Sequence, residues 1–399
     1  MSNKKYVYVG NWGFAPAPKG ISIFKYDEAS CDLALMKTVC PDIAAGQLCM
    51  DSENNILYAV NECGDQRGQI GGGGYILAFR VDPKNGNLTL INEQPSVLPE
   101  PSYLCMDKTK KYIMACHCSD PWHVTRIKKN KDGRPGSEVL FDDTGVVLFQ
   151  ILDDGAVGPA CDVMLTEGNG GLGTDSQKNV DPVSGHIQLV RVISRLHSVI
   201  ASPDGRMFVT CDKGMDRIIT FRLDENMGRI IALHTYQMEE LGCFPRYGVF
   251  HPRVPMFYAN NENLAMLNCF SYDAEEGSLK SRQKVRLLFE EVGLVEGKPV
   301  GAQDIMIHPD GKTLYVSLCG LNLIAVLSVA EDGLVELKQN IPSGGILPRG
   351  LAISPDGRCL LSGNMVSGDI TTFYIDVDGT LISTGKNYKA VSPSAIKFL

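Results

Sequence analysis

The residues whose side chains could take part in a reaction lie a fixed number of sequence positions from a repeated turn. The turn reads "SPDGR" at 202–206 and 354–358, "HPDGK" at 308–312 and "HPRV" at 251–254. Six positions before its proline stand His197, Arg246, Gln303 and Arg349. A histidine can move a proton at neutral pH, and an arginine can hold a carboxylate or phosphate with two parallel N–H groups. These residues predict acid–base chemistry on an anionic small molecule.

A second set of residues follows the same turn by nine and ten positions. It reads Asp212-Lys213, Asn261-Glu262, Leu318-Cys319 and Asn364-Met365, with Asn11-Trp12, Asn61-Glu62 and His117-Cys118 at the equivalent places nearer the N-terminus. A structural position in a repeat would keep one residue type, because every copy poses the same packing problem. Here the turn is constant and its flanks vary in charge, which is typical of a shared binding site. Charge pairs that merely link the repeats are the alternative.

Short β-strands are the elements that must carry these residues. Each copy has an apolar strand, the turn, a second strand rich in Tyr, Val and Leu, a polar break and a third alternating strand, as in "GRMFVTCDKGMDRIITFRLD". Proline fixes φ, Asp-Gly supplies the turn conformation, and alternation with period two indicates a sheet. The turn prolines Pro203, Pro252, Pro309 and Pro355 are separated by 49, 57 and 46 residues. This period matches a four-stranded propeller blade.

The repeat predicts an all-β fold, a single seven-bladed β-propeller domain over residues 1–399 with four-stranded antiparallel blades. The blades begin near residues 5, 46, 102, 197, 246, 303 and 349, and the C-terminal "SPSAIKFL" is expected to pair with the first blade and close the ring. Residues 119–146 and 166–190 are interpreted as insertions, and the basic run 126–134 as a solvated loop. A β-sandwich or two smaller barrels is the alternative fold.

The composition of the chain limits the kinds of molecule that we expect it to bind. The formal net charge of −8 provides no positive field to attract nucleic acid or an anionic membrane. No apolar run reaches the length of a membrane span, and the N-terminal "MSNKKYVYVG" has no apolar signal region. The 13 cysteines show no repeated zinc-finger spacing. We therefore expect a cytoplasmic monomer with free thiols and no partner but a small anionic substrate.

Two other kinds of catalytic site find little support. The stretch "ACHCSDPWH" offers Cys116, His117, Cys118 and His123 as metal ligands, but successive side chains on a strand point to opposite faces. A serine hydrolase would need a Gly-x-Ser-x-Gly elbow, which the sequence lacks. The sequence therefore predicts a site without a metal or cofactor.

The motifs together resemble a known family. "LHSVIASPDG", "FPRYGVFHP", "YANNEN", "IHPDGKTLYVS", "LPRGLAISPDG" and the final "SPSAIKFL" are similar to the propeller lactonases. That family comprises bacterial 6-phosphogluconolactonases of propeller type and fungal carboxy-cis,cis-muconate cyclases. The resemblance spans essentially the whole chain, and it implies a seven-bladed propeller with metal-free lactone hydrolysis or the related cycloisomerisation. By this resemblance the family's functional residues correspond to His197, Arg246, Glu262 and Arg349.

Four positions depart from the family pattern. The first histidine of His-x-His is Arg195, the histidine of Pro-Arg-His is Tyr247, the arginine of Ser-Asn-Arg-Gly is Cys319, and a glutamate of the sixth blade is Asp304. Loss of the arginine at position 319 removes a permanent anion ligand. The departures favour a different lactone or another carboxylate-bearing ring over simple 6-phosphogluconolactone.

We expect the functional residues to meet at one mouth of the central channel, because the inner strands of all blades line it. The predicted catalytic residues are His197 as general base, Arg246 and Glu262. The predicted substrate contacts are Arg349, Arg195, Asp304, Tyr247, Asn364, Lys213 and Glu62. Hydrolysis of an anionic lactone is the predicted reaction. The alternatives are a lactonising cycloisomerase of the carboxymuconate type and a non-catalytic binding module.

Overall fold

The computed structural model describes residues 5–13, 19–66, 68–118, 123–166, 193–290, 292 and 300–399. In these residues the regular structure consists of β-strands, and no helix is long and apolar enough to span a bilayer. Seven four-stranded antiparallel sheets and one separate two-stranded hairpin account for the strands. The prediction of an all-β propeller is confirmed.

In blades 2 and 4 to 7, four strands that are consecutive in the chain form an antiparallel meander. Blade 1 includes the C-terminal strand, and the strands of blade 3 are interrupted in the chain by the separate hairpin. Blades 1 to 3 contain β1 (Lys5–Asn11), β2 (Ile21–Asp27), β3 (Asp32–Val39), β4 (Leu48–Asp51), β5 (Ile56–Asn61), β6 (Tyr75–Val81), β7 (Leu88–Pro95), β8 (Pro101–Met106), β9 (Tyr112–His117), β12 (Gly145–Ile151) and β13 (Val157–Leu165). Blades 4 and 5 contain β14 (Leu196–Ala201), β15 (Phe208–Asp212), β16 (Arg217–Asp224), β17 (Arg229–Gln237), β18 (Pro245–Phe250), β19 (Met256–Asn261), β20 (Met266–Asp273) and β21 (Ser278–Arg286). Blades 6 and 7 contain β22 (Ala302–Ile307), β23 (Thr313–Leu318), β24 (Leu323–Val329), β25 (Val335–Pro342), β26 (Pro348–Ile353), β27 (Cys359–Asn364), β28 (Asp369–Ile375) and β29 (Leu381–Lys389).

The C-terminal strand β30 (Pro393–Phe398) closes the ring. It pairs antiparallel with β1, in the order β3-β2-β1-β30, so it is the inner strand of blade 1. The inner strands contact one another in a cycle that runs β4, β8, β14, β18, β22, β26, β30 and back to β4. Pairing of the two chain ends leaves no inner edge open to another chain.

The core is divided into layers between the blades. Seven clusters of buried apolar side chains each join one neighbouring pair of blades. Buried tyrosines add a recurring hydrogen bond, in which Tyr258 donates to the carbonyl of Gly333 at 2.7 Å in the next blade and Tyr315 donates to Gly379 at 2.9 Å. Both glycines lie in turns at φ near +80°, where a side chain would be strained. The blades are thus fixed against their neighbours, and so are the residues at their ends.

The inserted segments differ from the regular blades. The basic run 126–134, expected in a loop, begins on a projecting hairpin formed by β10 (His123–Lys129) and β11 (Pro135–Phe141), and it is exposed. The predicted connection 166–190 lies, from residue 167 on, outside the described residues. Neither hairpin strand pairs with a blade sheet.

One expectation from composition is wrong. Cys31 and Cys359 form a disulfide, with Cα atoms 6.2 Å apart and 328 residues between them in the chain. Both cysteines lie in the apolar layer between blades 1 and 7, the two blades that close the ring. The prediction of free thiols failed because residues so distant in sequence give no spacing signal. The cross-link adds a covalent closure to the β1–β30 pairing.

We predict that reductant lowers the melting temperature of the parent protein but not of Cys359→Ala. A cross-link over so long a loop stabilises a fold by roughly 2–4 kcal/mol, chiefly by restricting the unfolded chain. Melting curves with and without reductant measure the difference. Cys211→Ala, which removes a buried free thiol, controls for the cavity that the substitution leaves and should respond to reductant as the parent does. Equal melting temperatures for the parent under both conditions would contradict the prediction.

Candidate active site

A cavity of about 970 Å³ opens at the mouth of the channel where the inner strands begin and the second strands end; we call it the funnel. Every blade contributes to it the residue that directly follows its second-from-centre strand. These residues are Trp12, Glu62, Cys118, Lys213, Glu262, Cys319 and Met365. The repeat therefore places one homologous side chain from each blade around a single space.

The inner strands supply a less even set. Four consecutive blades, 4 to 7, place the second residue of the inner strand in the funnel, namely His197, Arg246, Gln303 and Arg349. At the corresponding places the other blades have Gly46, Ser102 and Ser394, which are small and are not among the lining residues that the structure describes. A Cβ atom on Gly46 would collide with the Glu62 carboxylate. The larger functional side chains thus lie on one side of the funnel.

A three-membered ion cluster forms the floor on that side. Oε2 of Glu262 accepts from Nη1 of Arg246 at 2.9 Å and from Nζ of Lys213 at 3.0 Å. Burial alone would raise the pKa of Glu262, but Lys213 and Arg246 outweigh it and hold that pKa well below its usual range. Glu262 is therefore an anion, because two cations that donate hydrogen bonds to a carboxylate favour its charged form. The carboxylate in turn holds both cations in place.

Arg246 is the most deeply buried charge in the funnel. Its side chain is 2% exposed, and its Nε and Nη2 atoms have no hydrogen-bond partner among the described protein atoms. Leaving a buried donor unsatisfied costs about 1–3 kcal/mol, and more when the donor is charged. The two N–H groups form the fork that binds a carboxylate or a carbonyl oxygen. Arg246 lines the funnel, so two donors that no described residue satisfies lie at the boundary of this cavity.

His197 lies beside this guanidinium as a neutral ring. The imidazole is 4% exposed, and its Nδ1 atom has no hydrogen-bond partner among the residues that the structure describes. Burial first, and then the charges of Arg246 and Lys213, lower the pKa of His197 well below its usual range. The ring can therefore accept a proton at neutral pH. Within the described residues, no hydrogen bond to Glu262 and no ion pair orients it. Glu262 holds Arg246 instead.

Tyr247 forms the wall behind both residues. Its ring contacts the His197 ring edge-on at 5.4 Å, and Cζ of Arg246 lies 5.0 Å from its centroid. Tyr103 packs against its other side at 5.1 Å. Burial raises the pKa of Tyr247 to about 12, and the residue is not among those that line the funnel. The expected substrate contact is thus replaced by a packing role.

Two further cations face the funnel from blades 7 and 1. Cζ of Arg349 lies 4.1 Å above the Trp12 ring, and its guanidinium makes no ion pair with another described residue. Lys19, which precedes β2, is 8% exposed, and burial lowers its pKa while Glu62 offsets part of that effect. Its Nζ atom likewise has no ion-pair partner within the described residues. These cations are available to a second anionic group.

Two predicted substrate contacts lie outside the funnel. The Asp304 carboxylate accepts from the backbone N–H of Leu351 at 2.7 Å, which ties β22 to β26, and burial raises its pKa. Asn364 is fully buried, and its Nδ2 donates to Asp369 at 2.8 Å. Successive residues of a strand point to opposite faces, so Met365 occupies the place expected for Asn364. Both residues position strands.

The remaining predicted contacts, Arg195, Lys213 and Glu62, line the funnel. Sequence reasoning gave no functional role to Lys19, Asp42 and Glu100, which also line it. These three lie in connections between strands or blades, where no repeat position marks them. A single sequence carried no signal for them, because only residues at homologous strand ends could be compared.

Buried aspartates hold the loops that present these side chains. The Asp212 carboxylate accepts from the backbone N–H groups of Arg195 at 2.8 Å and Gly214 at 3.1 Å, and from Nε of Arg217 at 2.8 Å. Asp216 accepts from the backbone N–H of Phe244 at 2.9 Å, two residues before Arg246. The backbone at the funnel rim is thus fixed by charge-assisted hydrogen bonds.

The metal alternative gains no support from the described residues. Within them no group of three or more His, Cys, Asp or Glu side chains is arranged to hold a metal ion. His117 is fully buried, its Nδ1 lies 3.3 Å from the carbonyl oxygen of Gly145, and burial lowers its pKa to about 4. Cys116 and Cys118 flank it on the other face of the strand, as alternation requires.

Comparison with known proteins agrees with the fold. The profile of the family described as "Lactonase, 7-bladed beta-propeller" matches residues 6–398. A 6-phosphogluconolactonase of Formosa agariphila is 25% identical over 96% of this chain and 94% of its own length, and that of Bacillus subtilis is 21% identical over 99% of both. The structure of a periplasmic gluconolactonase of Pseudomonas aeruginosa superposes with a TM-score of 0.78, at 21% identity and 99% coverage of both chains. The chain belongs to the seven-bladed β-propeller lactonase family.

Proposed function

We propose that this protein is a lactonase that hydrolyses an anionic sugar-acid lactone in the funnel. The observation that carries the proposal is a neutral, buried imidazole beside a buried guanidinium with two unpaired N–H groups. Hydrolysis of a lactone turns a neutral ester into an anion, so it needs a proton acceptor next to a fixed positive charge. The names of the relatives, 6-phosphogluconolactonase and gluconolactonase, support the same reaction class.

The first step is attack of water on the lactone carbonyl. His197 accepts a proton from the water, and the carbonyl oxygen lies against Nε and Nη2 of Arg246. Negative charge then develops on this oxygen in the tetrahedral intermediate, where fixed donors stabilise it most. Glu262 does not touch the substrate. It keeps the guanidinium in place through Nη1 and leaves Nε and Nη2 without a partner among the described residues.

Ring opening completes the reaction. The bond between the carbonyl carbon and the ring oxygen breaks, and the imidazolium of His197 returns its proton to that oxygen. The product is a hydroxy acid whose new carboxyl group loses its proton to solvent and remains as a carboxylate beside Arg246. The low pKa of His197 favours return of the proton to the leaving alkoxide.

The rest of the funnel selects the substrate. Arg349 and Lys19 lie on other blades from His197 and take the anionic substituent of the lactone, a phosphate or carboxylate. Asp42, Glu62 and Glu100 also line the funnel, and Glu62 is close enough to Lys19 and Arg349 to influence the pKa of both. Carboxylate oxygens accept hydrogen bonds from sugar hydroxyl groups, so cations and carboxylates together suit a hydroxylated ring with one charged end.

Substitution of His197 or Arg246 is expected to lower kcat, whereas substitution of Arg349 raises KM. We expect His197→Asn and Arg246→Gln to reduce kcat by about 10²–10³-fold, since each removes a contact made in the transition state. Arg349→Gln should weaken binding of the charged lactone while leaving an uncharged lactone unaffected. Initial rates on 6-phosphogluconolactone, uncharged gluconolactone and carboxymuconolactone measure these effects.

Matched controls separate the site from the fold. His234→Asn changes an exposed histidine of β17, and Arg358→Gln changes an exposed arginine paired with Asp356 at a surface turn; both should keep parental rates. Equal loss in controls and funnel variants, or turnover that none of the substitutions affects, would refute the proposed site. No turnover of any lactone by the folded parent would favour a binding module, and ring closure of a carboxymuconate would favour the cycloisomerase.

The pH profile should reveal the depressed pKa of His197. Because its folded-state pKa lies below that of a free imidazole, near 6.5, the base stays deprotonated as the pH falls through 6.5. We expect kcat/KM to be almost constant from pH 8 to pH 6 and to fall only at lower pH. Arg349→Gln removes one of the charges that lower this pKa, so its acid limb should move to higher pH.

The substrate for this profile must have no group that titrates between pH 5 and 8, and spontaneous hydrolysis is subtracted at each pH. The His234→Asn control should reproduce the parental limb. A half-maximal kcat/KM at pH 6.5 or above in the parent would show that the catalytic base is not the buried imidazole.

A further inference from the structure

The funnel exposes thiols as well as charges. Cys63, Cys118 and Cys319 all line it. Cys118 is only 5% exposed, and burial raises the pKa of Cys63. Cys319 is partly exposed and stands at the end of β23, directly after the buried Leu318. Cys63 and Cys319 are both partly exposed. Cys319, on blade 6, is the one that lies between the blades of Arg246 and Arg349.

Cys319 is held close to the backbone of Glu262, a member of the ion cluster. Nε2 of Gln303 donates to its Sγ atom at 3.4 Å, and its backbone N–H donates to the carbonyl of Gly301 at 2.9 Å. A Cβ atom on Gly301 would lie 3.4 Å from this sulfur and would collide with the carbonyl oxygen of Glu262. The thiol therefore neighbours the residue whose carboxylate joins Arg246 and Lys213.

The same funnel contains donors that call for an anionic ligand. Nε and Nη2 of Arg246 are buried without a partner among the described residues, and the guanidinium of Arg349 makes no ion pair with a described residue. Because Asp42, Glu62, Glu100 and Glu262 also line the funnel, an anion is attracted to the part of it beside these two arginines. A reagent that carries a carboxylate would thus be held in the same cavity as the Cys319 sulfur.

We propose that Cys319 is a modification site for carboxylate-bearing, thiol-reactive compounds, which the funnel arginines bind and direct to its sulfur. With a disulfide of this class, the Cys319 thiolate attacks one sulfur, a new S–S bond forms as the old one breaks, and the other half leaves as a thiolate. The thiol proton goes to solvent. The adduct occupies the funnel and blocks it. Its formation needs no turnover, so labelling is independent of the proposed lactonase reaction.

The test compares iodoacetate, which is anionic, with iodoacetamide, which is neutral and of similar size. Each alkylates the sulfur and releases iodide, and peptide mass spectrometry gives the rate at every cysteine. Cys161, exposed on the outer strand β13, provides the reference in the same tube. We expect the iodoacetate-to-iodoacetamide rate ratio at Cys319 to exceed that at Cys161 by about tenfold, through concentration of the anion.

Variants that remove a positive charge test whether the iodoacetate-to-iodoacetamide rate ratio at Cys319 depends on the funnel. Arg349→Gln should lower the ratio at Cys319 several-fold, while the surface control Arg358→Gln leaves it unchanged. Cys319→Ser should retain the parental fold and any lactonase activity and resist inactivation by iodoacetate. The proposal would be overturned by equal ratios at Cys319 and Cys161 or by an unaltered ratio in Arg349→Gln. Label at Cys63 or Cys118 in place of Cys319 would overturn it as well. Full lactonase activity after complete labelling of Cys319 would overturn the inference that the adduct blocks the funnel.

Discussion

The site depends on one buried cation, Arg246. A guanidinium that is 2% exposed loses most of its hydration, and one carboxylate oxygen of Glu262 restores only part of it. Lys213 shares this oxygen, and Nε and Nη2 of Arg246, which lines the funnel, are buried without a partner among the described residues. The same positive charge helps to keep His197 neutral. In the proposed reaction, this one ion cluster therefore accounts for the neutral base and for the position of the negatively charged oxygen. It also explains why the funnel would bind an anionic ligand.

The propeller makes such a cluster possible at low cost in backbone strain. Charged side chains stand at strand ends, where each blade turns back, while the apolar layers between blades remain free of them. Asp212 and Asp216 fix the adjoining loops through backbone N–H groups. Because every blade ends at the same mouth, single substitutions at strand ends change the site without changing the core. The uneven charge of this funnel, cationic on blades 4, 5 and 7 and acidic beside blade 2, is such a pattern.

The sequence predicted the repeat and its strand-end residues, because a fixed offset from a turn means a fixed place in a blade. His197, Arg246, Glu262 and Arg349 meet in the funnel for that reason. An offset does not resolve which of two successive residues faces the cavity, so Asn364 was expected where Met365 lies. Asp304 was predicted to contact the substrate because it stands where the similar family has a glutamate, and its hydrogen bond to the backbone of Leu351 in the next blade has no signal in the sequence. Lys19 and the Cys31–Cys359 disulfide depend on contacts between distant segments, which no local pattern encodes.

The most direct test of the account is a crystal structure of the protein soaked with 6-phosphogluconate, the hydroxy acid formed from 6-phosphogluconolactone. The account predicts the carboxylate within hydrogen-bond distance of Nε and Nη2 of Arg246, with the phosphate toward Arg349 and Lys19. A product carboxylate bound away from Arg246 would contradict the central claim that the unpaired donors of Arg246 form the site of chemistry.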